Sequence, residues 1–274
     1  MRSFEFERWD EGRLIVNRRF APLLQQQGLI TFDKLMHLQG GRVAKNLLPE
    51  RTTTRFVLTS GKHDEQAFYI KRHEPSPWKE YVKPWFRLTR PILGARYEWN
   101  AILEFHKAGI STMTPVAVGR LGPRSLLVTE SLEGCQKLSD WLQSRNRENR
   151  RTLHNSATRL IEAVARMTRA MHAAGLHHQD FYLNHLMVPT DDIHREVYVI
   201  DLGRARRRKQ LSQRWLLKDL AQLNYSAELL SAGNRRRFLE VYLGRPLRRC
   251  DNGLIRRIQR KTQKIARHSR KNRL

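Results

Sequence analysis

The sequence has 274 residues, 40% of them hydrophobic, and its 52 Lys and Arg residues exceed its 26 Asp and Glu residues to give a formal net charge of +26. This composition suits one large domain or two lobes with a buried core, and it excludes a disordered chain. No run approaches the roughly 20 consecutive apolar residues of a membrane-spanning helix, and the opening Met1–Asp10 is too charged for a secretory signal. We therefore expect a cytoplasmic protein with an anionic partner. Charge alone leaves nucleic acid, an acidic protein, an anionic membrane leaflet and a phosphorylated glycolipid open.

The first half of the chain has the pattern of an antiparallel sheet interrupted by one helix. The predicted strands are 42–48, 54–59, 66–72, 114–118 and 125–129. Between the third and fourth strands, Trp99, Ile102 and Phe105 recur at helical spacing, and Gly109 follows where a C-terminal cap would fall. The spacing predicts a helix over 95–107.

The second half has the longer period of helices. Apolar residues from Leu153 to Met171 trace one face of a helix predicted over 152–174 and ended by Gly175. A short apolar strand is predicted at 197–200, and further helices at 213–231 and 234–243. The pattern as a whole predicts an α+β fold of two lobes. A β-rich N-lobe with one helix covers 1–130, and a mainly α-helical C-lobe covers 131–274.

Four charged residues carry the chemical signal. Asp180 lies in a loop after the long helix, and Asp201 follows the short predicted strand. Phosphoryl transfer needs one carboxylate to accept the proton of the attacking hydroxyl and another to hold Mg²⁺ on the phosphates, and these roles fit Asp180 and Asp201 respectively. Upstream, Lys71 closes a strand and Glu98 lies on the next helix, where an ion pair between them would position the phosphates. Each residue alone is weak evidence. Their order is that of protein kinases, so ATP and Mg²⁺ are the expected cofactors.

Longer segments add a family resemblance. They are Leu93–Asn100, His106–Pro115, His178–His185 and Lys218–Ala221. These segments are similar to the lipopolysaccharide core kinases of the WaaP and InaA type. The resemblance implies a bilobal protein-kinase-like fold and an ATP-dependent kinase of a sugar of the lipopolysaccharide inner core, notably heptose. It also implies that Lys71 and Glu98 anchor the nucleotide, that Asp180 is the catalytic base, that Asp201 binds the metal, and that Asp219 is a buried brace under the catalytic loop.

The sequence departs from the protein-kinase pattern in two places. His185 replaces the metal-binding Asn of the catalytic motif, with Asn184 just before it. Imidazole is a poorer Mg²⁺ ligand than an oxygen, so the pattern leaves open which of the two contacts the metal, and whether His185 only lines the site. The Gly-rich phosphate loop is also missing from the sequence. Arg51 and the hydroxyls of Thr52–Thr54 are alternative phosphate contacts, and a plain hairpin turn is the competing interpretation.

The region after the catalytic motif favours a small acceptor over a protein substrate. Tyr182 stands where protein Ser/Thr kinases carry a Lys, and the segment after Asp201 is too short for a peptide-docking activation segment. A basic run follows at once, in which we expect Arg204, Arg206 and Arg207 to bind carboxylates and phosphates of the acceptor. A merely solvated basic loop is the alternative.

The C-terminal segment Arg245–Leu274 is strongly basic, with 12 Lys or Arg residues and one acidic residue, Asp251. Leu254, Ile255, Ile258 and Ile265 form a narrow apolar stripe within it. The pattern predicts a basic helix that lies either on the inner face of the inner membrane or against the C-lobe.

The main functional hypothesis is an ATP-dependent kinase of a lipid-linked core sugar, working at the cytoplasmic face of the inner membrane. The alternative is a catalytically silent kinase-like module that binds anionic lipid or an acidic protein partner; the retained Lys71, Glu98, Asp180 and Asp201 argue against it. The charge would also suit a nucleic-acid binder, but the sequence carries no recognised nucleic-acid motif, so no such partner is expected.

Overall fold

The computed structural model describes residues 3–48, 51–60, 64–75, 94–148, 150–193 and 196–271. Pro49 and Glu50 of the predicted phosphate-side turn, and Leu93 of the family-like segment, lie outside these ranges. The chain divides into two compact units. Unit 1 comprises Met1–Glu104 with Met113–Glu133, and unit 2 comprises Phe105–Thr112 with Gly134–Leu274. Unit 1 is built on a β-sheet and unit 2 mainly on helices, which confirms the predicted α+β class.

Unit 1 contains a seven-stranded antiparallel sheet. Its strands are β1 Phe6–Trp9, β2 Leu14–Asn17, β3 Arg42–Leu48, β4 Arg51–Ser60, β5 Asp64–His73, β6 Pro115–Leu121 and β7 Arg124–Glu130. They lie in the order β1-β2-β6-β7-β5-β4-β3. Strands β3 to β7 correspond to the five predicted strands, so the hydrophobic pattern located them correctly.

The first two strands are missing from the sequence prediction. Each has only four residues, and the 3-10 turn between them carries Glu11 at a positive φ of 54°. Such short strands contain too little alternation for a pattern to be recognised, and β2 is defined by its pairing with β6. Two short helices, α1 Ala21–Gln26 and α2 Phe32–Met36, follow and complete the core around Phe68 of β5, whose ring stacks on Phe56 at 5.5 Å.

The helix of the predicted N-lobe is α3, Arg96–Lys107. Its apolar face is buried as the spacing predicts, with Trp99 4% exposed and Ile102 fully buried. Before the helix, the Ala95 amide donates to the Ser125 hydroxyl of β7 at 3.1 Å, and after it Gly109 adopts a left-handed φ of 71°. These contacts fix where α3 begins and ends, and so where Glu98 lies.

Unit 2 is mainly helical. Its helices are α4 Leu138–Glu148, α5 Arg150–Ala173, α6 Gln213–Ser226, α7 Ala232–Leu243 and α8 Asn252–Lys271. Short strands β8 Cys135–Lys137, β10 Leu186–Pro189 and β11 Tyr198–Val199 form one small sheet, and β9 Leu176–His177 pairs with β12 Arg206–Arg207. The sequence pattern predicts α5, β11, α6 and α7 but not α4.

Helix α6 ends earlier than the sequence predicts, at Ser226 instead of residue 231. The guanidinium of Arg235 donates to the carbonyl oxygens of Asn224 and Ala227, at 3.0 and 2.7 Å. The Asn224 carbonyl lies in the last turn of α6, where carbonyl oxygens lack helical partners, so a side chain from the next helix satisfies it. A distant residue therefore sets this boundary, which local periodicity cannot register.

The basic C-terminal helix α8 packs on α6. Ile258 is 6% exposed, and Thr262 joins the helices by accepting from Asn224 Nδ2 at 3.0 Å and donating to the Ala221 carbonyl oxygen at 3.3 Å. Its apolar stripe thus packs inside unit 2, so of the two positions that the sequence left open for this helix, the structure has the one against the C-lobe. The exposed residues of α8 include seven cations, which are Arg256, Arg257, Arg260, Lys264, Arg267, Arg270 and Lys271. None of the helices in the described ranges combines the length and apolar character needed to traverse a bilayer.

Candidate active site

Unit 1 contains a lysine–glutamate ion pair. Lys71 of β5 pairs in register with Leu127 of β7 and Thr53 of β4, and its Nζ lies 2.7 Å from Oε1 of Glu98 in the first turn of α3. The Glu98 side chain is only 7% exposed, whereas that of Lys71 is 24% exposed. A mostly buried carboxylate thus holds an ammonium that remains partly accessible, as the sequence-based expectation requires.

Two further cations of unit 1, Arg51 of β4 and Arg72 of β5, lie where the N-terminal end of β4 pairs with the C-terminal end of β5. Arg51 pairs in register with His73, and Thr52 with Arg72. Burial first, and then the positive charges of Arg51 and Lys71, lower the pKa of His73 to about 4. Arg51 and Thr52 therefore belong to a regular strand rather than to a loop, while the charges of Arg51 and Lys71 act on one imidazole.

In unit 2, residues 178–185 are held against helix α6. They carry the predicted base Asp180 and are called the catalytic loop here. The carboxylate of Asp219, which is fully buried, accepts from the amides of His178 and Gln179 at 2.7 and 2.9 Å. Burial alone would raise the pKa of Asp219, but His172 and the His178 amide outweigh it, and the pKa is lowered. An ionised Asp219 thus fixes the start of the loop.

Two neutral residues of α6 extend this attachment, and the sequence analysis missed both. Gln222 Oε1 accepts from the Phe181 amide at 3.1 Å, and Ser226 Oγ accepts from the Leu183 amide at 3.0 Å. With Asp219 they follow the i, i+3, i+7 spacing of one helix face, and Gln222 is 4% exposed. Polar residues on the buried face of a predicted helix were the available signal.

His178 connects the two aspartate-bearing loops. The Asp180 amide donates to His178 Nδ1 at 3.2 Å, so the ring proton lies on Nε2, which donates to the Ile200 carbonyl oxygen at 3.0 Å. Burial lowers the pKa of His178, in keeping with this neutral tautomer. Ile200, which precedes Asp201, is therefore hydrogen-bonded to His178, which also binds the Asp180 amide.

Asp180 itself faces a cation. Its carboxylate oxygens lie 3.2 Å from Nη1 of Arg204, and the side chains of Asp180 and Arg204 are 27% and 60% exposed. The preceding Gln179 has a left-handed φ of 72°, and its amide Nε2 donates to the Arg204 carbonyl oxygen at 2.8 Å. The loop thus presents an accessible carboxylate that an exposed arginine partly neutralises.

Asp201 and His185 lie together in unit 2. His185 Nδ1 donates to the Asp180 carbonyl oxygen at 2.7 Å, which leaves Nε2 as the other ring atom, 3.7 Å from Oδ2 of Asp201. A backbone carbonyl that fixes the tautomer of a histidine is typical of metal-ligating imidazoles. Asn184 is exposed. Within the described ranges, no three His, Cys, Asp or Glu side chains are grouped so that they could hold a metal ion together.

The remaining predicted residues lie on the segment after Asp201. Arg206 and Arg207 form strand β12, paired with His177 and Leu176 of β9. Arg206 Nη1 donates to the Ala205 carbonyl oxygen at 2.6 Å and is partly buried, whereas Arg207 is exposed. Among the three predicted acceptor arginines, Arg204 contacts Asp180.

These residues follow the order that defines the protein-kinase-like class. A lysine on a strand is held by a glutamate on a helix, one aspartate follows a long helix, and a second aspartate follows a short strand. Comparison with known proteins narrows this class. The profile of the "Lipopolysaccharide kinase (Kdo/WaaP) family" matches residues 37–242. The chain belongs to this family.

Individual relatives agree. A protein of Pseudomonas aeruginosa named "Lipopolysaccharide core heptose(I) kinase WaaP" is 37% identical over 269 residues, which is 92% of this chain and 96% of the relative. A protein of Escherichia coli with the same name is 33% identical, over 90% and 94% of the two chains. A solved structure titled "WaaP in complex with acyl carrier protein" has a TM-score of 0.68 at 34% identity, covering 92% of this chain and 98% of that one.

Proposed function

We propose that this protein is an ATP-dependent kinase that phosphorylates a heptose of the lipopolysaccharide core. The observation that carries the proposal is its 37% identity, over 92% of the chain, to a protein named as a core heptose(I) kinase. The retained Lys71–Glu98 pair and the accessible Asp180 support it and speak against a catalytically silent module.

In the proposed reaction, a sugar hydroxyl attacks the γ-phosphorus of ATP and the β–γ bridging P–O bond breaks, so that ADP leaves. Asp180 accepts the proton of the hydroxyl, because its carboxylate is accessible and oriented by a loop fixed to α6. Lys71, held by Glu98, binds phosphate oxygens, and Arg51 and Thr52 are the proposed additional phosphate contacts. Arg204, Arg206 and Arg207 bind anionic groups of the acceptor.

Mg²⁺ is the proposed metal, and it would neutralise phosphate charge when bound. Asp201 would supply a carboxylate oxygen and would be the main protein ligand. His185 is the proposed second contact in preference to Asn184, because its Nε2 already lies 3.7 Å from Oδ2 of Asp201. This small set fits Mg²⁺, which usually keeps several waters and binds one or two carboxylates together with substrate phosphates.

The proposal is tested with Asp180→Ala in the full-length protein. We expect ATP-dependent transfer to purified core oligosaccharide to fall by at least about a hundredfold, the lower range for general acid–base catalysis. Thermal unfolding should change little, because an exposed ion pair contributes little stability. The exposed Asp192, changed to Ala, is the matched control. Transfer at the wild-type rate by Asp180→Ala would exclude the assigned base.

Two further partners are proposed, an acyl carrier protein and the inner-membrane surface. The related solved structure names an acyl carrier protein, and the charge of +26 would attract an acidic partner. Unit 2 contains an apolar cavity of about 370 Å³, lined among others by Leu160, Leu220 and Ile258, next to the exposed basic face of α8. An apolar chain carried by an acidic protein would match both features. The same basic face would bind anionic lipid.

A further inference from the structure

Trp215, in the first turn of α6, is surrounded by positive charge. The guanidinium carbons of Arg208 and Arg214 lie 5.3 and 5.2 Å from the indole centroid, and Lys218 Nζ lies 5.8 Å from it. The ring also stacks on His177 at 4.5 Å. These residues, here called the Trp215 cluster, join the start of α6 to the β9–β12 ladder.

The backbone holds this cluster in place. The Arg208 amide donates to the Gly175 carbonyl oxygen at 2.9 Å, and Arg208 Nε donates to His177 Nε2 at 3.3 Å. Gly175 has a φ of 76°, and a Cβ there would collide with the Arg208 carbonyl oxygen. Arg208 is therefore a positioned side chain rather than one of several interchangeable charges in a solvated loop.

Bringing three cations together has an electrostatic cost, which the charges of Asp180 and Asp219 reduce at Lys218. Three cations gather around one indole, whose π face attracts positive charge but compensates only part of their mutual repulsion. Because His177 Nε2 accepts from Arg208, its proton lies on the buried Nδ1, which has no hydrogen-bond partner among the described residues. Interactions that destabilise a fold locally tend to occur where function requires them.

The cluster is continuous with the catalytic loop. Burial lowers the pKa of Lys218, while the charges of Asp180 and Asp219 act in the opposite direction. Lys218 therefore lies within the field of the proposed base, to which Arg204 is also attached. His177 and Lys218 of the cluster directly precede His178 and Asp219, which are hydrogen-bonded to each other. A negative group bound at the cluster would therefore lie near the loop that carries Asp180.

We propose that the Trp215 cluster recognises the acceptor by binding a carboxylate or phosphate substituent on a sugar next to the phosphorylated hydroxyl. Arg208, Arg214 and Lys218 supply the hydrogen-bond donors. The Trp215 ring keeps these three side chains apart and excludes water from one side of the bound group. The inference rests on the proposed function, since it assigns the acceptor of that reaction. It adds Trp215, Arg214 and Lys218 to the residues that determine specificity.

The test measures binding of core oligosaccharide to the full-length protein by calorimetry, without nucleotide, so that it does not depend on transfer. The variants are Arg214→Gln, Lys218→Gln and Trp215→Phe, and the matched control is Arg249→Gln, which removes one exposed charge of unit 2. We expect Kd to rise at least about tenfold for each charge removed, which corresponds to the lower end of the range for a hydrogen bond to a charged group. The control should leave Kd unchanged, and the KM for ATP should stay the same in every variant.

Two modified acceptors identify the anionic group. Carboxyl-reduced and dephosphorylated oligosaccharides are titrated separately against the wild-type protein and Arg214→Gln. The modified acceptor that lacks the recognised group should bind the wild-type protein weakly, with the same Kd as it has for Arg214→Gln. Unchanged Kd in Arg214→Gln and Lys218→Gln with the intact acceptor would overturn the inference even if the enzyme transfers phosphate. Conversely, binding that depends on the cluster without any transfer would support the site and count against the proposed function.

Discussion

At the scale of single residues, the candidate site contains backbone conformations that are costly by themselves. Gln179 and Asp201, one residue before the proposed base and at the proposed metal ligand, both have positive φ, 72° and 60°. Each such residue costs about 1–3 kcal/mol and persists only where surrounding contacts impose it. For Gln179 these contacts are the Asp219 carboxylate and the Arg204 carbonyl. Strain at both aspartate loops is consistent with a site in which carboxylate direction matters more than stability.

The Lys71–Glu98 pair gives a prediction at this scale. Glu98→Gln keeps the shape of the side chain but removes the charge that holds Lys71, so we expect kcat/KM for ATP to fall about tenfold or more. Steady-state kinetics measure it. Glu133→Gln, which removes an exposed carboxylate from the same unit, is the control.

The double variant Lys71→Met/Glu98→Gln sharpens the result. If the two residues act together, the double loss should be close to the Lys71→Met loss rather than the sum of the two single losses in free energy. Additive losses would show that Glu98 does not act through Lys71.

At the scale of elements, helix α6 organises unit 2. One face supplies Asp219, Gln222 and Ser226 to the amides of the catalytic loop, and its N-terminal turn supplies Trp215 to the basic cluster. Another face of α6 contacts α8, through the hydrogen bond from Asn224 to Thr262, and this contact holds the helix in place. Because one rigid helix positions both the loop and the cluster, a shift of α6 would disturb proton acceptance and acceptor binding together.

The β9–β12 ladder gives the element-scale prediction. Gly175→Ala forces an L side chain into a left-handed conformation and against the Arg208 carbonyl. We expect a loss of at least about 1 kcal/mol in the free energy of unfolding, the minimum for this conformation, together with weaker acceptor binding. Chemical denaturation and calorimetry measure the two effects.

Gly253→Ala is the control, because a Cβ added there would meet no atom of another element within 4 Å and the residue does not have a left-handed φ. It lies near the start of α8, where Ala should stabilise the helix slightly. Equal stability of the two alanine variants would contradict the proposed close packing at Gly175.

At the scale of the whole molecule, the excess positive charge is concentrated on particular surfaces. The exposed face of α8 is basic along its length, and the segment after Asp201 is basic as well. The ion pair of Arg245 with Asp251, at 2.7 Å, fixes the entry to α8 and lowers the pKa of Asp251. The helix is therefore anchored at one end while most of its cations remain available to partners.

The basic face of α8 is the surface to which we propose that an acyl carrier protein binds. We expect an acylated acyl carrier protein to bind more tightly than its unacylated form, and Arg256→Gln/Arg260→Gln to weaken binding at least about threefold at low salt. The difference should shrink from about 50 mM to about 300 mM NaCl, because exposed charges are screened. Calorimetry with both forms measures these changes.

The exposed pair Arg8 and Arg120 of unit 1, changed to Gln, is the charge-matched control. Vesicles containing anionic lipid form the second arm. Loss of vesicle binding alone in the α8 variant would assign the basic face to the membrane. Unchanged binding of both partners would remove α8 from the proposed interface.

Prediction from the sequence succeeded where the signal is local. The alternation of β3 to β7 and the apolar faces of α3 and α5 follow from side chains a few residues apart, and the structure contains them. It failed for β1 and β2, which are too short to show a period, and for the end of α6, which Arg235 sets from the next helix. The roles of Lys71, Asp180 and Asp201 remain predictions, and the variants above test those of Lys71 and Asp180.

The sequence by itself determined the kind of fold and the order of its charged residues, because periodicity and motif order are properties of the chain. Tertiary structure alone decided that α8 packs on α6, that Gln222 and Ser226 join Asp219 in holding the catalytic loop, and that three cations surround Trp215. These contacts join side chains and backbone groups from separate elements. Their formation depends on which faces are buried together, and local spacing carries no information about that.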